Sequence, residues 1–312
     1  MKIGFGVDLG GTTVKIAVFE ETGKMLSKWE IPTVTENNGQ KILPDIADSI
    51  RAYIQKEGVT DVLGIGIGVP GPVDTRGVVN GCNNLGWGVV PVEKVLGELT
   101  GFLVKAGNDA SVAALGESWA GGKDCENMVF VTLGTGVGGG IVVEGKLLYG
   151  AHGAGGEVGH MVMNPHETVQ CSCGKYGCLE QYGSATGIVR LAKEALAKSI
   201  TPSALRGAEK LTCKDVFDAA KAEDALATEV LEQVYAYLGA AIANICNTVD
   251  PEAVVLGGGV SKAGQVLLDG VEKAFHKYVF HAASGCQFAL ASLFNDAGAY
   301  GAFKLAVDAF CK

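Results

Sequence analysis

Positive charge is scarce in this chain: 25 Lys and Arg stand against 34 Asp and Glu, a net charge of −9. Nucleic-acid and anionic-membrane surfaces need clustered basic residues, so neither partner is expected. No uninterrupted apolar run reaches the ~18 residues of a membrane span. The opening Met1-Lys-Ile-Gly-Phe-Gly-Val-Asp8 runs directly into a strand-like segment and lacks the long apolar region of a secretory signal. The expectation is a cytoplasmic protein with reduced thiols, in which disulfides are a poor account of nine cysteines. Low-complexity segments, obvious linkers and a Walker loop with its Gly-Lys-Ser/Thr ending are also missing.

Glycine, by contrast, is abundant: 46 of 312 residues, about twice the usual share, which implies many tight turns and close backbone approaches. The length suffices for two domains or one large one with a substantial core. Three cysteines fall within eight residues in Cys171-Ser-Cys173-Gly-Lys-Tyr-Gly-Cys178, where Gly174 and Gly177 supply turns. With His160 upstream they form a Cys3His set, enough for a closed tetrahedral zinc site with no open position for substrate, hence a structural one. Ordinary buried cysteines are the plainer alternative. Glu157 lies three residues before His160 and Glu180 two after Cys178, so fixing this loop would fix two carboxylates suited to accepting hydrogen bonds from a polyol.

The first segment is a strand from Ile3, a turn at Asp8-Leu-Gly10-Gly11-Thr12-Thr13, and a second strand to Phe19. Glycine N–H groups and threonine hydroxyls in such a turn suit a phosphate, and Asp8 could hold magnesium through water. The pattern recurs: Leu9 falls on Leu133, Gly10 on Gly134, Val18 on Val142 and Glu20 on Glu144, and after a two-residue gap Gly23-Lys-Met-Leu26 falls on Gly145-Lys-Leu-Leu148. Gly134, Thr135 and Gly136 form the second turn. Two copies imply a duplicated domain with a glycine-rich turn facing a shared cleft from each side, a nucleotide clamp.

Between the copies, Lys41 to Gln55 has helical spacing with Ile42, Ile46, Ile50 and Ile54 on one face. Leu63 to Val69 reads as a strand ended by Pro70-Gly71-Pro72, and Asn83-Asn84-Leu-Gly-Trp87 as a polar loop with an aromatic that sugar could touch. Residues 102–106 form a strand leading into the Ala-rich helix after Asn108-Asp109, where either residue caps the helix or a carboxylate acts as general base. The tail offers a second junction, Asn295-Asp296-Ala297, whose Asp296 is assigned to capping. Ser184 to Ala197 and Asp215 to Ala222 read as structural helices, the second with a capping box from Thr212. A helix over about 225–248 and a strand at 253–256 precede Gly257-Gly258-Gly259, where adenosine could lie against backbone. The helix at 297–310 packs back onto the N-terminal domain.

Taken together, Asp8-Leu-Gly-Gly-Thr-Thr13, Gly68-Val-Pro-Gly-Pro-Val73, Asn108-Asp109-Ala, Leu133-Gly-Thr-Gly-Val-Gly-Gly-Gly140, Glu157-Val-Gly-His160, Cys171-Ser-Cys-Gly-Lys-Tyr-Gly-Cys178-Leu-Glu180 and Leu256-Gly-Gly-Gly259 resemble the ROK family of sugar kinases, within the actin-like ATPase superfamily, over nearly the whole chain. The resemblance implies an α/β fold of two actin-like (ribonuclease H-like) domains with mixed sheets flanked by helices and a cleft between them, and the repeat places their boundary near residue 118, giving residues 1–118 with 297–312 and residues 119–296. It implies that Asp109, rather than Asp296, is the base, that Asn108, Glu157, His160 and Glu180 bind the sugar, and that His160, Cys171, Cys173 and Cys178 hold zinc, His160 serving both. ATP with Mg²⁺ would sit on the glycine turns, and a homodimer is implied. Family repressors carry a winged-helix domain ahead of the first hairpin, for which a hairpin at residue 8 leaves no room. Glucose is the first choice of substrate, with mannose, N-acetylmannosamine, allose and fructose as alternatives, and a non-catalytic sugar-sensing module as the competing class.

Overall fold

The computed structural model describes residues 2–122 and 125–311. Its strands are β1 (Ile3–Leu9), β2 (Thr13–Glu20), β3 (Met25–Pro32), β4 (Val62–Val69), β5 (Val78–Cys82), β6 (Trp87–Pro91), β7 (Val104–Asn108), β8 (Met128–Leu133), β9 (Val137–Val143), β10 (Lys146–Leu147), β11 (Ala253–Gly257) and β12 (Gln287–Leu290). The helices are α1 (Glu36–Gly39), α2 (Ile42–Glu57), α3 (Val92–Thr100), α4 (Asp109–Ala120), α5 (Glu180–Gly183), α6 (Ala185–Lys198), α7 (Cys213–Lys221), α8 (Ala225–Val249), α9 (Gln265–Phe275) and α10 (Ala297–Phe310). None of the described helices is long and apolar enough to cross a membrane.

Two five-stranded sheets share one plan. The first runs β3-β2-β1-β4-β7 and the second β10-β9-β8-β11-β12, so each strand of one has its counterpart at the same place in the other. In the first sheet β1 is antiparallel to β2 and parallel to β4, which is parallel to β7; in the second, β8, β11 and β12 are parallel. The glycine-turn hairpin seen twice in the sequence is thus the β1–β2 and β8–β9 corner of each sheet. A small β5–β6 ribbon stands apart.

Internal contacts divide the chain into two units, Met1–Glu126 with Gly140–Gly156 and Ser292–Lys312, and Asn127–Gly139 with Glu157–Ala291. The stretch after Gly140 joins the first unit because β9 there lies against α4: a Cβ on Gly140 would fall 2.5 Å from that of Ala114.

In the first unit α2 covers one face of the sheet with Ile42, Ile46 and Ile50, all fully buried, the face its spacing predicts. The other face receives α10, and the approach is so close that only glycine fits beneath it. A Cβ on Gly66 would lie 1.6 Å from the Ala302 carbonyl oxygen, and one on Gly301 lies 1.7 Å from that of Val112 in α4. In the second unit α8 supplies a long apolar face, buried from Leu226 to Cys246, and Asp224 caps it by accepting from Ala227 N–H. The predicted box at Thr212 and Asp215 is present at the start of α7.

Asp296 does not cap α10. The turn 294–296 runs into the helix with Asp296 itself in helical geometry, whereas a capping side chain needs an extended backbone; its carboxylate pairs with Lys28 at 2.8 Å instead.

Where the chain re-enters the first unit it is pinned by Glu117 of α4, whose side chain is fully buried. One oxygen accepts from Ser292 N–H and Oγ–H, each at 3.0 Å, and the other from Leu293 N–H at 2.8 Å. Hydrogen bonds to a charged acceptor contribute more than neutral ones, and removing the Glu117 carboxylate leaves the two partly buried N–H groups and the Ser292 hydroxyl without it. Glu117→Ala is therefore expected to lower the unfolding free energy by about 3 kcal/mol, measured by chemical denaturation.

Candidate active site

Parallel pairing aligns the C-terminal ends of β1, β4 and β7, with Asp8 opposite Gly68, and Gly68 opposite Gly107. Ligands of open α/β sheets bind at this edge. Asn108 ends β7 and caps α4, its Oδ1 accepting from Ser111 N–H at 3.1 Å. Its amide nitrogen donates to the Gly71 carbonyl at 3.2 Å and to Asp109 Oδ1 at 3.1 Å, and that Oδ1 also accepts from Ala110 N–H at 2.8 Å. Asp109 is thus held at the first turn of a helix, the end that favours negative charge. Gly71, read from the sequence as a strand terminator, has a second role: at φ +91° it presents the carbonyl that orients Asn108.

In the first glycine turn, Gly10 N–H donates to the Thr13 carbonyl, and Thr33 ties the turn down from β3's end by donating Oγ–H to Gly10 and N–H to the Thr12 carbonyl. Gly11 and Thr12 are exposed at its tip. Asp8 is partly buried beside it, paired with Lys15 at 3.4 Å and abutting Gly298 at the start of α10. Burial raises its pKa above 3.8 against the opposing pull of the Lys15 ammonium. A carboxylate desolvated in this way is suited to a cation.

The second turn is clamped by the start of α6, where Ala185 N–H donates to the Gly134 carbonyl and Thr186 Oγ–H to that of Thr135, both at 2.8 Å. Beside it opens a cavity of about 640 Å³, lined by Gly134, Thr135, Ala185, Phe217, Gly259 and Lys262 among others. The volume is within the range of small-molecule sites, and the lining combines the apolar Phe217 and Val260 with the charged Lys214, Asp218, Lys221 and Lys262. Of the three consecutive glycines only Gly259 lines it. A Cβ on Gly257 would strike the Phe130 ring at 2.6 Å, and one on Gly258, at φ +82°, the Leu133 carbonyl at 2.5 Å, so these two let β11 pass close to β8. Helix α7, read from its sequence as structural, forms a wall of the cavity with Phe217, Lys214 and Lys221. Only its packing beside the turn reveals that.

The loop between His160 and Glu180 closes through bridges at Val162–Cys178 and Gln170–Tyr176. Gly177, at φ +74°, passes the Asn164 carbonyl where a Cβ would come within 1.9 Å. One atom each of His160, Cys171, Cys173 and Cys178 lie within 4.8 Å of one another. Tetrahedral zinc with bonds of about 2.3 Å sets sulfurs about 3.8 Å apart. Cys173 and Cys178 are separated by 3.7 Å, and Cys171 Sγ and His160 Nδ1 by 3.9 Å, so the set fits. Burial opposes ionisation of Cys173, but hydrogen bonds from the Lys175 backbone and the neighbouring thiols outweigh it and hold its pKa below the usual value. Burial, with the Cys173 contact, pushes Cys178 up to about 12. Such a cluster releases protons on taking up a metal.

The two carboxylates flank this cluster. Glu157 Oε2 lies 4.0 Å from His160 Nε2, leaving Nδ1 on the cysteine side. Glu180 Oε1 accepts from Ser172 Oγ–H at 2.6 Å and Oε2 from Val137 N–H at 3.2 Å. Trp87, in contrast, is buried and donates to the Gly39 carbonyl, so the aromatic of the Asn83-Asn84 loop belongs to the core.

The ROK family model matches residues 4–309. The glucokinase of Halalkalibacterium halodurans is 44% identical over 304 residues, spanning 95% of this chain and 92% of that one. The ROK hexokinase of Thermus thermophilus superposes with a TM-score of 0.84 at 31% identity, covering 98% of both chains. A ROK family glucokinase of Streptomyces griseus, solved in complex with glucose and AMPPNP, gives a TM-score of 0.76 at 32% identity over 98% and 99% of the two chains. The architecture is accordingly the actin-like α/β fold with two sheet-bearing domains.

Asp8 carries a measurable signature. Its folded pKa is raised, so the folded state holds the proton more tightly than the unfolded chain, and its contribution to stability falls as pH rises through the folded pKa. Asp8→Asn is expected to be more stable than the native protein at neutral pH, with the advantage vanishing below about pH 3.8 in thermal unfolding.

Proposed function

The chain belongs to the ROK family, and from that premise we propose that it transfers the γ-phosphoryl group of ATP to glucose, forming glucose 6-phosphate. The observation that carries the reading is the setting of Asp109: a carboxylate fixed by Ala110 N–H and Asn108 at a helix N-terminus, on the strand edge it shares with Asp8 and the first glycine turn. The 44% identity to a curated glucokinase supports glucose as acceptor.

Phosphoryl transfer passes through a loose transition state, so positioning and electrostatics carry most of the catalysis. Asp109 accepts the proton of the sugar's primary hydroxyl and aims that oxygen in line with the γ-phosphorus. Asn108, Glu157, His160 and Glu180 bind the remaining hydroxyls. Gly10 and Gly134 close the two turns by donating N–H to the Thr13 and Gly136 carbonyls, which leaves the backbone around Gly11, Thr12 and Thr13 and around Thr135 and Gly136 to meet phosphate oxygens; adenosine occupies the cavity beside Gly259, with Gly257 and Gly258 behind it. Magnesium, held through Asp8, would neutralise phosphate charge. Zinc on His160, Cys171, Cys173 and Cys178 would be structural, since the closed set has no place for substrate. The working form is a cytoplasmic homodimer.

The test is ATP consumption with Mg²⁺ against glucose, mannose, N-acetylmannosamine, allose and fructose, with a no-sugar control. Turnover with glucose in clear excess of the others is the expected result; sugar binding without turnover on any of them would mark a sensing module. Asp109→Asn is expected to lower kcat by about 10²–10⁴-fold while glucose affinity changes little, read by turnover and calorimetry. Cys173→Ser is expected to remove zinc, counted per chain by elemental analysis, and to raise the glucose KM more than it lowers kcat.

A further inference from the structure

Ser172 stands between two cysteines of the cluster, at the tip of a turn closed by Cys171 N–H to the Lys175 carbonyl and Gly174 N–H to that of Cys171. It is exposed and is not one of the four ligand candidates, yet its hydroxyl makes a short hydrogen bond, 2.6 Å, to Glu180 Oε1. The opposite oxygen, Oε2, accepts from Val137 N–H at 3.2 Å, at the end of the Gly134–Gly136 turn. Gly136 leaves the room for it, since a Cβ there would fall 2.2 Å from Oε2. The Cys171 thiol lies 3.6 Å from Oε1, a longer and weaker contact than that of Ser172, and on holding zinc it would have no proton to donate. Ser172 is then the donor that the cysteine loop retains for Glu180.

An ionised carboxylate has about four lone-pair sites. One on each oxygen is taken, by Ser172 and by Val137, so the plane of the group is fixed and one acceptor site per oxygen is left for incoming donors. We infer that Ser172 is a positioning residue for sugar recognition: it locks Glu180 so that the carboxylate accepts two hydroxyls of the hexose at once. The inference rests on the assignment of Glu180 to the sugar site. Without the Ser172 bond, the carboxylate keeps the Val137 N–H at 3.2 Å and the looser Cys171 contact at 3.6 Å, and the paired acceptance weakens before the chemistry does.

Ser172→Ala in the full-length protein is expected to raise the glucose KM, and the dissociation constant by calorimetry, about ten-fold, while kcat falls less than about three-fold and zinc per chain is unchanged. Ser172→Thr, which keeps the hydroxyl, is expected to restore affinity to within about two-fold. An unaltered KM in Ser172→Ala, or a rise accompanied by loss of zinc, would overturn the proposal, the latter because the effect would then run through the integrity of the loop. Glu180→Gln separates the two levels. If it binds glucose normally, the assignment of Glu180 to the sugar site has failed; if it binds poorly while Ser172→Ala is normal, only the role of Ser172 has.

Discussion

Parallel pairing of β1, β4 and β7 is the constraint that brings the first unit's candidate site residues together. Because Asp8 stands opposite Gly68 and Gly68 opposite Gly107, three strand ends finish level, and whatever follows each strand emerges at one edge. The residues there are the glycine turn after β1, the Gly71 carbonyl after β4 and the Asn108–Asp109 pair after β7. The register is itself held by α10, which can press onto the sheet only because Gly66 has no Cβ to meet Ala302. A helix seated this closely leaves strand ends little freedom to slip.

In the second unit the equivalent corner is organised by the backbone of Val137, the residue at which the second hairpin resumes. Its N–H is bonded to Glu180, and its carbonyl faces Gly159, where a Cβ would come within 1.9 Å. The Glu157–His160 turn and the Glu180 segment are thereby drawn to the same strand. Glu167 reinforces the arrangement: it accepts from Tyr182 Oη–H at 2.7 Å and pairs with Arg190 of α6 at 3.3 Å. A loop whose Val162, Val169 and Tyr176 are exposed is in this way tied to the domain core by polar bonds and by the cysteine cluster.

The elements that bury apolar faces were legible, because burial imposes a period on the sequence. The isoleucines of α2, the limits of α8 and α10 and the two copies of the hairpin follow from spacing alone. Capping was legible where the backbone before the helix is extended, as at Thr212, and misread at Asp296, where a preceding helical turn rotates the side chain away toward Lys28. Trp87 looked like part of a polar loop because its neighbours are polar, but its indole faces the core and finds Gly39.

The sequence by itself determined the inventory: two glycine turns, a carboxylate at a strand-to-helix junction, and a Cys3His set flanked by two glutamates, all carried by residue type at fixed local spacing. Tertiary structure decided the couplings. That Gly71 orients Asn108, that α7 walls the cavity beside Gly134, and that Ser172 and Val137 share Glu180 depend on distances between segments far apart in the chain. Local spacing constrains neighbours within a few residues through backbone geometry, whereas a contact such as Gly71 to Asn108 exists only once the sheet has set its register. Within the glycine run 257–259 the division of labour was likewise a matter of packing, two residues making way for β8 and one opening onto the cavity.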